Sequence, residues 1–561
     1  MSAKTEIIEF DGRRIEARHG ESLAAALTAA GVRSFRTTAH DAERGMFCGM
    51  GVCQECLVEV DGRANERACM VKVTGPLSVR SEAHARPLDV KRPATAPKTI
   101  GDVRLMQPEV LVIGAGPGGL SAAIAARRAG AEVTVIDERS KPGGQYFKQP
   151  DVDGEGIVPP DAQHSEGAAL IASARALGVS ILNDVTVWGA FAPLEFAATH
   201  DGAALRITPK RAIIATGAYE RGWPVPGWTL PGVMTTGAAQ TLWRTARRVP
   251  GKRVLIAGNG PLNLQLAAEL SDGGSEIAAV VEAASAPGPG AIGALATMAW
   301  ASPKLVRDGI AYHRKRRAAG ARMINGAVVR GIERSGSGLK VLIGGADGAK
   351  SQETFEVDAV CLGYGFEPAN ELLRGLGCGH DFDPERRQLV TRRDETGQTT
   401  VPDVYALGDC TGLGGARAAL AEGTVIGAHV AASLGHKTGT QAAVEAALLR
   451  HRRFQRALWT LYAFDGYHPS LANRETLVCR CEEVTFGEIE DALSEDLSMI
   501  GAVKRQTRVG MGRCQGRYCA PVLDTLMAAR AGQSRDEFSG FAPRVPVRPV
   551  RIADIAGETR E

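Results

Sequence analysis

Apolar residues along the chain form several kinds of run, and each predicts a different element. Residues 4–10 and 13–18 alternate apolar with polar around Asp11-Gly12, which predicts a hairpin. Residues 21–30 read as a short helix closed by Gly31. At Glu109 the pattern changes to a continuous apolar strand, VLVIG. A glycine turn, an Ala-rich helix over Leu120–Ala129 and a second strand, EVTVID, follow it as a βαβ unit. The same order returns over 253–282, with RVLIAG, a second glycine turn, a helix over Leu264–Leu270 and IAAVVE. RAIIATG (211–217), DAVCLGYG (358–365) and VPDVYALGD (401–409) read as further buried strands. Only two such units occur, far apart, so the chain is not a solenoid.

These runs predict an α/β chain with a small domain at each end. A β-rich unit occupies 1–82, and a Pro/Ala/Arg/Lys-rich linker occupies 83–107. A discontinuous first nucleotide domain covers 108–250 and 351–436, with a second nucleotide domain at 251–350. A helical connector (437–474), a small cysteine domain (475–535) and a Pro/Arg tail (536–561) complete the plan.

Composition narrows the function by exclusion. At roughly 150 residues per domain, 561 residues make three to four domains. Aromatic content of 5% and a net charge of +3 offer neither a stacking surface nor a field for nucleic acid. No secretory segment is visible at the N-terminus, and no apolar run is long enough for a membrane span. A cytoplasmic protein is therefore expected. In that reducing compartment grouped cysteines read as metal ligands before disulfides.

Eight of the 11 cysteines fall into two groups of four. Cys48, Cys53, Cys56 and Cys69 have the C-x4-C-x2-C spacing with a distant fourth ligand that marks a plant-type [2Fe–2S] site. Glycines in CGMGVCQEC let the backbone wrap an inorganic core closely. Segment 4–80 resembles a plant-type ferredoxin domain of the β-grasp sort. Cys479, Cys481, Cys514 and Cys519 form the second group. Thr485 and Glu488 predict a capping box before one helix, and Pro521 suits the first turn of another. This segment resembles bacterioferritin-associated ferredoxin domains, which bind [2Fe–2S], although its last pair is C-x4-C where theirs is C-x2-C. Structural zinc is the alternative for each group. Cys361, Cys378 and Cys410 have no partner at ligand spacing and read as small buried side chains.

Gly114-Ala-Gly116-Pro-Gly118-Gly119 follows a strand and opens a helix, and Asp137 ends the next strand. Such glycines permit close approach to a pyrophosphate, while the acid accepts ribose hydroxyls. KPGGQ (141–145), ATG (215–217) and VYALGD (404–409), with Asp409 at a helix start, recur in the order of the two-dinucleotide-domain flavoprotein disulfide reductases, which the core resembles. That resemblance implies FAD. The segments GGQYFKQ and GNGPLNLQ carry no cysteine, so a redox disulfide is not expected. In the second turn, Gly258, Gly260 and Glu282 are placed for NAD or ATP, but Asn263 stands where a third glycine would pack helix on strand. The basic run HRKRR (313–317) reads as a solvated helix face.

From residue 106 onward the chain resembles the FAD-containing A subunit of opine oxidases, the B subunit of hydrogen cyanide synthase, and the alpha subunits of heteromeric sarcosine oxidase and of bacterial proline or hydroxyproline dehydrogenases. GMGRCQGRYC (510–519) is the most specific shared string. A folate-dependent C-terminal domain such as the heterotetrameric sarcosine oxidase alpha subunit carries is not expected here. The resemblance implies FAD held by Gly114, Gly116, Pro117, Gly118, Gly119, Asp137, Glu138, Gly143, Gly144, Gln145, Val187, Ala215, Thr216, Gly217, Gly408 and Asp409, with two [2Fe–2S] clusters. An FMN at a subunit interface is a further candidate. It also implies a beta subunit of the D-amino-acid-oxidase type that oxidises the amine, and a downstream acceptor. No catalytic residue is identified in this chain. The expected function is electron transfer in a dehydrogenase of an opine, hydroxyproline, proline or sarcosine-like secondary amine. An NAD(P)H-dependent reductase, glycine oxidation of the cyanide-synthase type and a redox sensor are the alternatives.

Overall fold

The computed structural model describes residues 4–82, 103–152, 161–346, 352–494, 499–531 and 535–556. The predicted hairpin forms between Thr5–Phe10 and Arg13–Arg18. It extends into a five-stranded sheet in which Thr5–Phe10 runs parallel to Leu77–Ser81. Helix Leu23–Ala29 packs into this sheet, capped by Ser22, whose side chain accepts from the Ala25 amide.

Two parallel sheets form the centre. The first orders Ser180–Leu182, Val133–Ile136, Val110–Ile113, Arg211–Ile214 and Val404–Ala406. The predicted first helix begins earlier than its apolar spacing suggested, at Pro117, and runs to Arg128. It crosses helix Ala416–Ser433 at very short range, because a Cβ on Gly423 or Gly427 would collide with the carbonyls of Gly118 or Ala122. The second sheet orders Val233–Thr235, Ala359–Gly363, Arg253–Gly258, Glu276–Glu282 and Arg322–Asn325.

That order corrects the expected boundaries. Ala359–Gly363 pairs with Arg253–Gly258 and Val233–Thr235, so it belongs to the second nucleotide domain and not to the 351–436 part of the first. Val233–Thr235 and helix Thr236–Ala246 likewise leave the 108–250 segment. A continuous apolar run specifies a strand buried on both faces without naming its neighbours.

Two peripheral segments also differ from expectation. Most of the linker 83–107 lies outside the described residues, but Arg104–Met106 is a strand paired with Ala203–Ile207. The tail 536–561 packs through its described part. Phe541 enters the core of the C-terminal domain beside Cys479 and Cys519, and Val547 donates its amide to the Trp188 carbonyl at 2.7 Å. The predicted capping box forms as Glu488 N to Thr485 Oγ1 at 3.2 Å and Thr485 N to Glu488 Oε2 at 2.7 Å. Among the described residues no helix is long and apolar enough to cross a membrane.

Candidate functional site

The first glycine turn is built by steric necessity. Gly114 has φ +111°, and a Cβ there would strike the carbonyl of Ala215. A Cβ on Gly119 would strike the carbonyl of Gly114, and one on Gly118 the Leu407 side chain. Gly116 differs, since its nearest neighbour to a Cβ is Gly144 Cα at 3.9 Å and space lies above it. Pro117 sets the first helical residue, leaving free amides at a helix N-terminus, the arrangement that favours a phosphate.

Asp137 and Asp409 are held on either side of this turn. Asp137 Oδ2 accepts from Ala115 N at 2.6 Å and Oδ1 from Arg139 N at 2.9 Å. Asp409 Oδ1 accepts from Gly414 N at 2.9 Å and Gly415 N at 2.8 Å. Burial raises both carboxyl pKa values. Each oxygen retains lone-pair capacity for a hydroxyl. Gly143 donates to the Ala115 carbonyl at 2.8 Å, so the KPGGQ loop is tied to the turn. Glu138 instead faces Arg548 of the tail at 3.5 Å.

One cavity of about 760 Å³ joins these residues. Gly114, Gly116, Pro117, Gly118, Asp137, Glu138, Gly144, Gln145, Val187, Ala215, Thr216, Gly217, Gly408 and Asp409 reach its wall. Gly119 and Gly143 are packing positions outside that lining. The volume is that of a cofactor cleft. Cys48, Met50 and Val52 of the N-terminal domain form part of the wall, as do Arg517, Val547 and Arg548 of the C-terminal region. Lys148 and Glu220, buried at 3% exposure each, also line it. Burial brings the Lys148 pKa down to about 7 and pushes that of Glu220 up to about 7.

The cavity continues to the second turn, where Glu282 accepts from Gly260 N at 3.0 Å, Asn259 Nδ2 at 2.8 Å and Ala284 N at 2.9 Å. A Cβ on Gly258 would strike the Gly363 carbonyl, and Gly260 has φ +113°. Asn263 does what a third glycine would not. Its Oδ1 accepts from Thr236 Oγ1 at 2.8 Å and its Nδ2 donates to Gly363 O at 3.3 Å.

Within each cysteine group the thiols meet in pairs. Cys48 contacts Cys53 and Cys56 contacts Cys69; Cys479 contacts Cys519 and Cys481 contacts Cys514. All are free, and only Cys481 is partly exposed. Paired thiols are the donor set that two bridged irons take, two to each iron. Met50 N and Cys53 N approach Cys48 Sγ at 3.5 and 3.4 Å, and Gly49 and Gly51 both have positive φ. The two groups are also joined. Cys48, Cys53 and Cys514 share a core with Phe47, Trp228 and Tyr518. Cys378 and Cys410 are buried away from both groups, whereas Cys361 shares a core with Cys56 and Cys69 of the first.

Sequence reasoning missed Lys148, Glu220, Glu55, Arg480 and the tail residues Val547 and Arg548. For Glu55 and Arg480 a signal existed, since each is a charged residue inserted between cysteines of one group.

Residues 108–431 match the family described as pyridine nucleotide-disulphide oxidoreductase. Residues 4–84 match a 2Fe-2S iron-sulfur cluster binding domain, and residues 477–529 a BFD-like [2Fe-2S] binding domain. The opine oxidase A subunit of Agrobacterium tumefaciens (strain Ach5) is 33% identical over 467 residues, spanning 80% of this chain and 91% of that one. The sarcosine oxidase alpha subunit of Corynebacterium sp. (strain P-1) is 27% identical over 99% of this chain and 56% of its own length. L-proline dehydrogenase from P. horikoshii shares the fold, with a TM-score of 0.71 over 98% of this chain and 97% of that chain at 19% identity. The chain therefore belongs to the pyridine nucleotide-disulphide oxidoreductase family, in the group that includes the opine oxidase A subunit, with an iron–sulfur domain of a different type at each end.

Proposed function

We propose that this chain is the electron-transfer subunit of a heteromeric flavin/iron–sulfur dehydrogenase of secondary amines, taking electrons from a partner subunit of the D-amino-acid-oxidase type in the cytoplasm. The substrate class is an opine, hydroxyproline, proline or sarcosine-like amine. The observation that carries this reading is the shared cavity: the FAD cradle, Cys48 of the first thiol group and Arg517 beside the second all lie on one wall system.

In this reading Gly114, Gly116, Gly118 and the helix amides hold the pyrophosphate of FAD. Asp137 takes the adenosine ribose, and Asp409 the ribityl chain. Cys48, Cys53, Cys56 and Cys69 hold one [2Fe–2S] cluster, and Cys479, Cys481, Cys514 and Cys519 the other. The chemistry these groups supply when bound is the division of a two-electron equivalent into single electrons. Met50, Val52 and Val547 give that end of the cavity an apolar lining. Lys148 and Glu220 can exchange the proton that accompanies such transfers. The second turn takes NAD or ATP with Glu282 on the ribose, and an FMN at the subunit interface would belong to the assembled complex.

The test is to purify the native complex anaerobically and screen secondary amines with a dye acceptor. The reading expects a co-purifying flavoprotein partner, two clusters' worth of iron and labile sulfide per chain, and amine-dependent dye reduction. Flavin bleaching by NADH alone, with no amine response, would favour the NAD(P)H-dependent reductase instead. A chain that carries zinc and no sulfide would end both readings.

A further inference from the structure

A buried ionic group lies between the two cysteine groups. Arg480 is the middle residue of Cys479-Arg480-Cys481, and Glu55 stands between Cys53 and Cys56. Both are buried, at 4% and 1% exposure. Arg480 Nε lies 3.4 Å from Glu55 Oε1, and its Nη1 donates to the Trp228 carbonyl at 2.9 Å. The guanidinium covers the Phe47 ring at 3.9 Å and faces that of Trp228 at 4.7 Å. Glu55 also faces Arg36 at 3.4 Å and Arg44 at 3.8 Å, while Arg44 pairs with Glu483 at 2.8 Å. Three guanidinium groups thus meet two carboxylates between the ligand loops, drawn from both terminal domains.

This arrangement is a poor device for stability alone. Burying charge costs about as much as pairing returns, and apolar side chains of the same volume would hold the domains together as well. Arg480 Nε and Glu55 Oε1, though close, lack hydrogen-bonding geometry to any partner. Beside a thiolate-ligated cluster the same group has a clear use. Each reduction adds one negative charge, and a fixed cation shielded from water by two aromatic rings stabilises that charge with little screening.

We propose that Arg480 is a positioning residue shared by both cysteine groups, its cation stabilising the reduced state of the clusters on either side, with Glu55 opposing it. The inference rests on the reading that both groups hold clusters.

The experiment is a potentiometric titration of the full, cluster-loaded chain followed by EPR, with wild type, Arg480→Met, Arg480→Lys and Glu55→Gln compared. Arg480→Met should lower both midpoints by about tenfold in the one-electron equilibrium, or about 59 mV. Glu55→Gln should raise both. Arg480→Lys keeps the charge and should return both midpoints most of the way. Circular dichroism and melting curves separate these shifts from misfolding. If Arg480→Met loses its clusters, Arg480→Lys and Glu55→Gln decide the matter. A shift confined to one cluster, or none in any folded variant, overturns the proposal. A wild-type chain without labile sulfide overturns the underlying reading instead.

Discussion

The ring of Phe47 meets the ring of Tyr518 edge-on at 5.3 Å, and each is the immediate chain neighbour of a cysteine, Cys48 or Cys519. The two terminal domains therefore touch through the residues next to their grouped cysteines. Tyr518 is buried, yet its hydroxyl has no hydrogen-bond partner. Tyr518→Phe is expected to be neutral or slightly stabilising, because it removes an unsatisfied group. Tyr518→Ala should cost about 3–5 kcal/mol and loosen the N-terminal domain. Denaturant unfolding and the proteolysis rate of that domain distinguish the two variants.

The glycines of the first turn separate folding from flavin retention. Gly119→Ala forces a methyl group into the Gly114 carbonyl and should lower the melting midpoint even without flavin. Gly116→Ala has room within the protein and projects toward the cavity. It should fold normally but purify with much less FAD, read as the flavin-to-protein absorbance ratio.

Lys148 and Glu220 should give the stability curve a minimum near neutrality. Burial raises the Glu220 pKa from 4.5 to about 7, so its contribution is full below about pH 4.5 and is lost as pH rises through about 7. Burial, then Arg139 and Arg244, lower the Lys148 pKa from 10.5 to about 7, so its penalty is relieved as pH rises from about 7 to 10.5. Each pKa unit corresponds to about 1.4 kcal/mol. Glu220→Gln should remove the slope on the acid side, and Lys148→Met the slope on the alkaline side. Denaturant midpoints between about pH 5 and 9 check both.

Asn263→Gly would restore a third glycine to the second turn but strand the Thr236 hydroxyl. The expected cost is about 1–3 kcal/mol, with no gain in nucleotide binding by calorimetry, because Asn263 is turned into the crossing of helix Pro261–Asp272 with strand Ala359–Gly363.

Replacing one cysteine in each group tests their independence. Cys53→Ser and Cys519→Ser should each halve the labile sulfide and remove a different EPR signal. Cys378→Ser and Cys410→Ser should leave iron and sulfide unchanged, since both residues are packed among apolar side chains near the first sheet.

Local chemistry was legible in the sequence because it depends on spacing. Both glycine turns and the Thr485–Glu488 capping box follow from residues a few positions apart, and the cysteine groups, Asp137 and Asp409 from motif spacing within one short segment each. The position of Asn263 at the third-glycine site was equally visible, although its partners Thr236 and Gly363 were not.

What the sequence determined by itself was the set of parts: two nucleotide-type units, two thiol groups and the family they belong to. Only the tertiary structure decided how they meet. Strand Ala359–Gly363 joined the second sheet because a uniformly apolar run fits any parallel neighbour. The tail became a wall of the cavity because Phe541 and Val547 found apolar surface that no local pattern could announce. Glu55 and Arg480, 425 positions apart, came together because packing Phe47 between Trp228 and Tyr518 brought their loops into one core, and a pairing across that distance leaves no periodic trace in the chain.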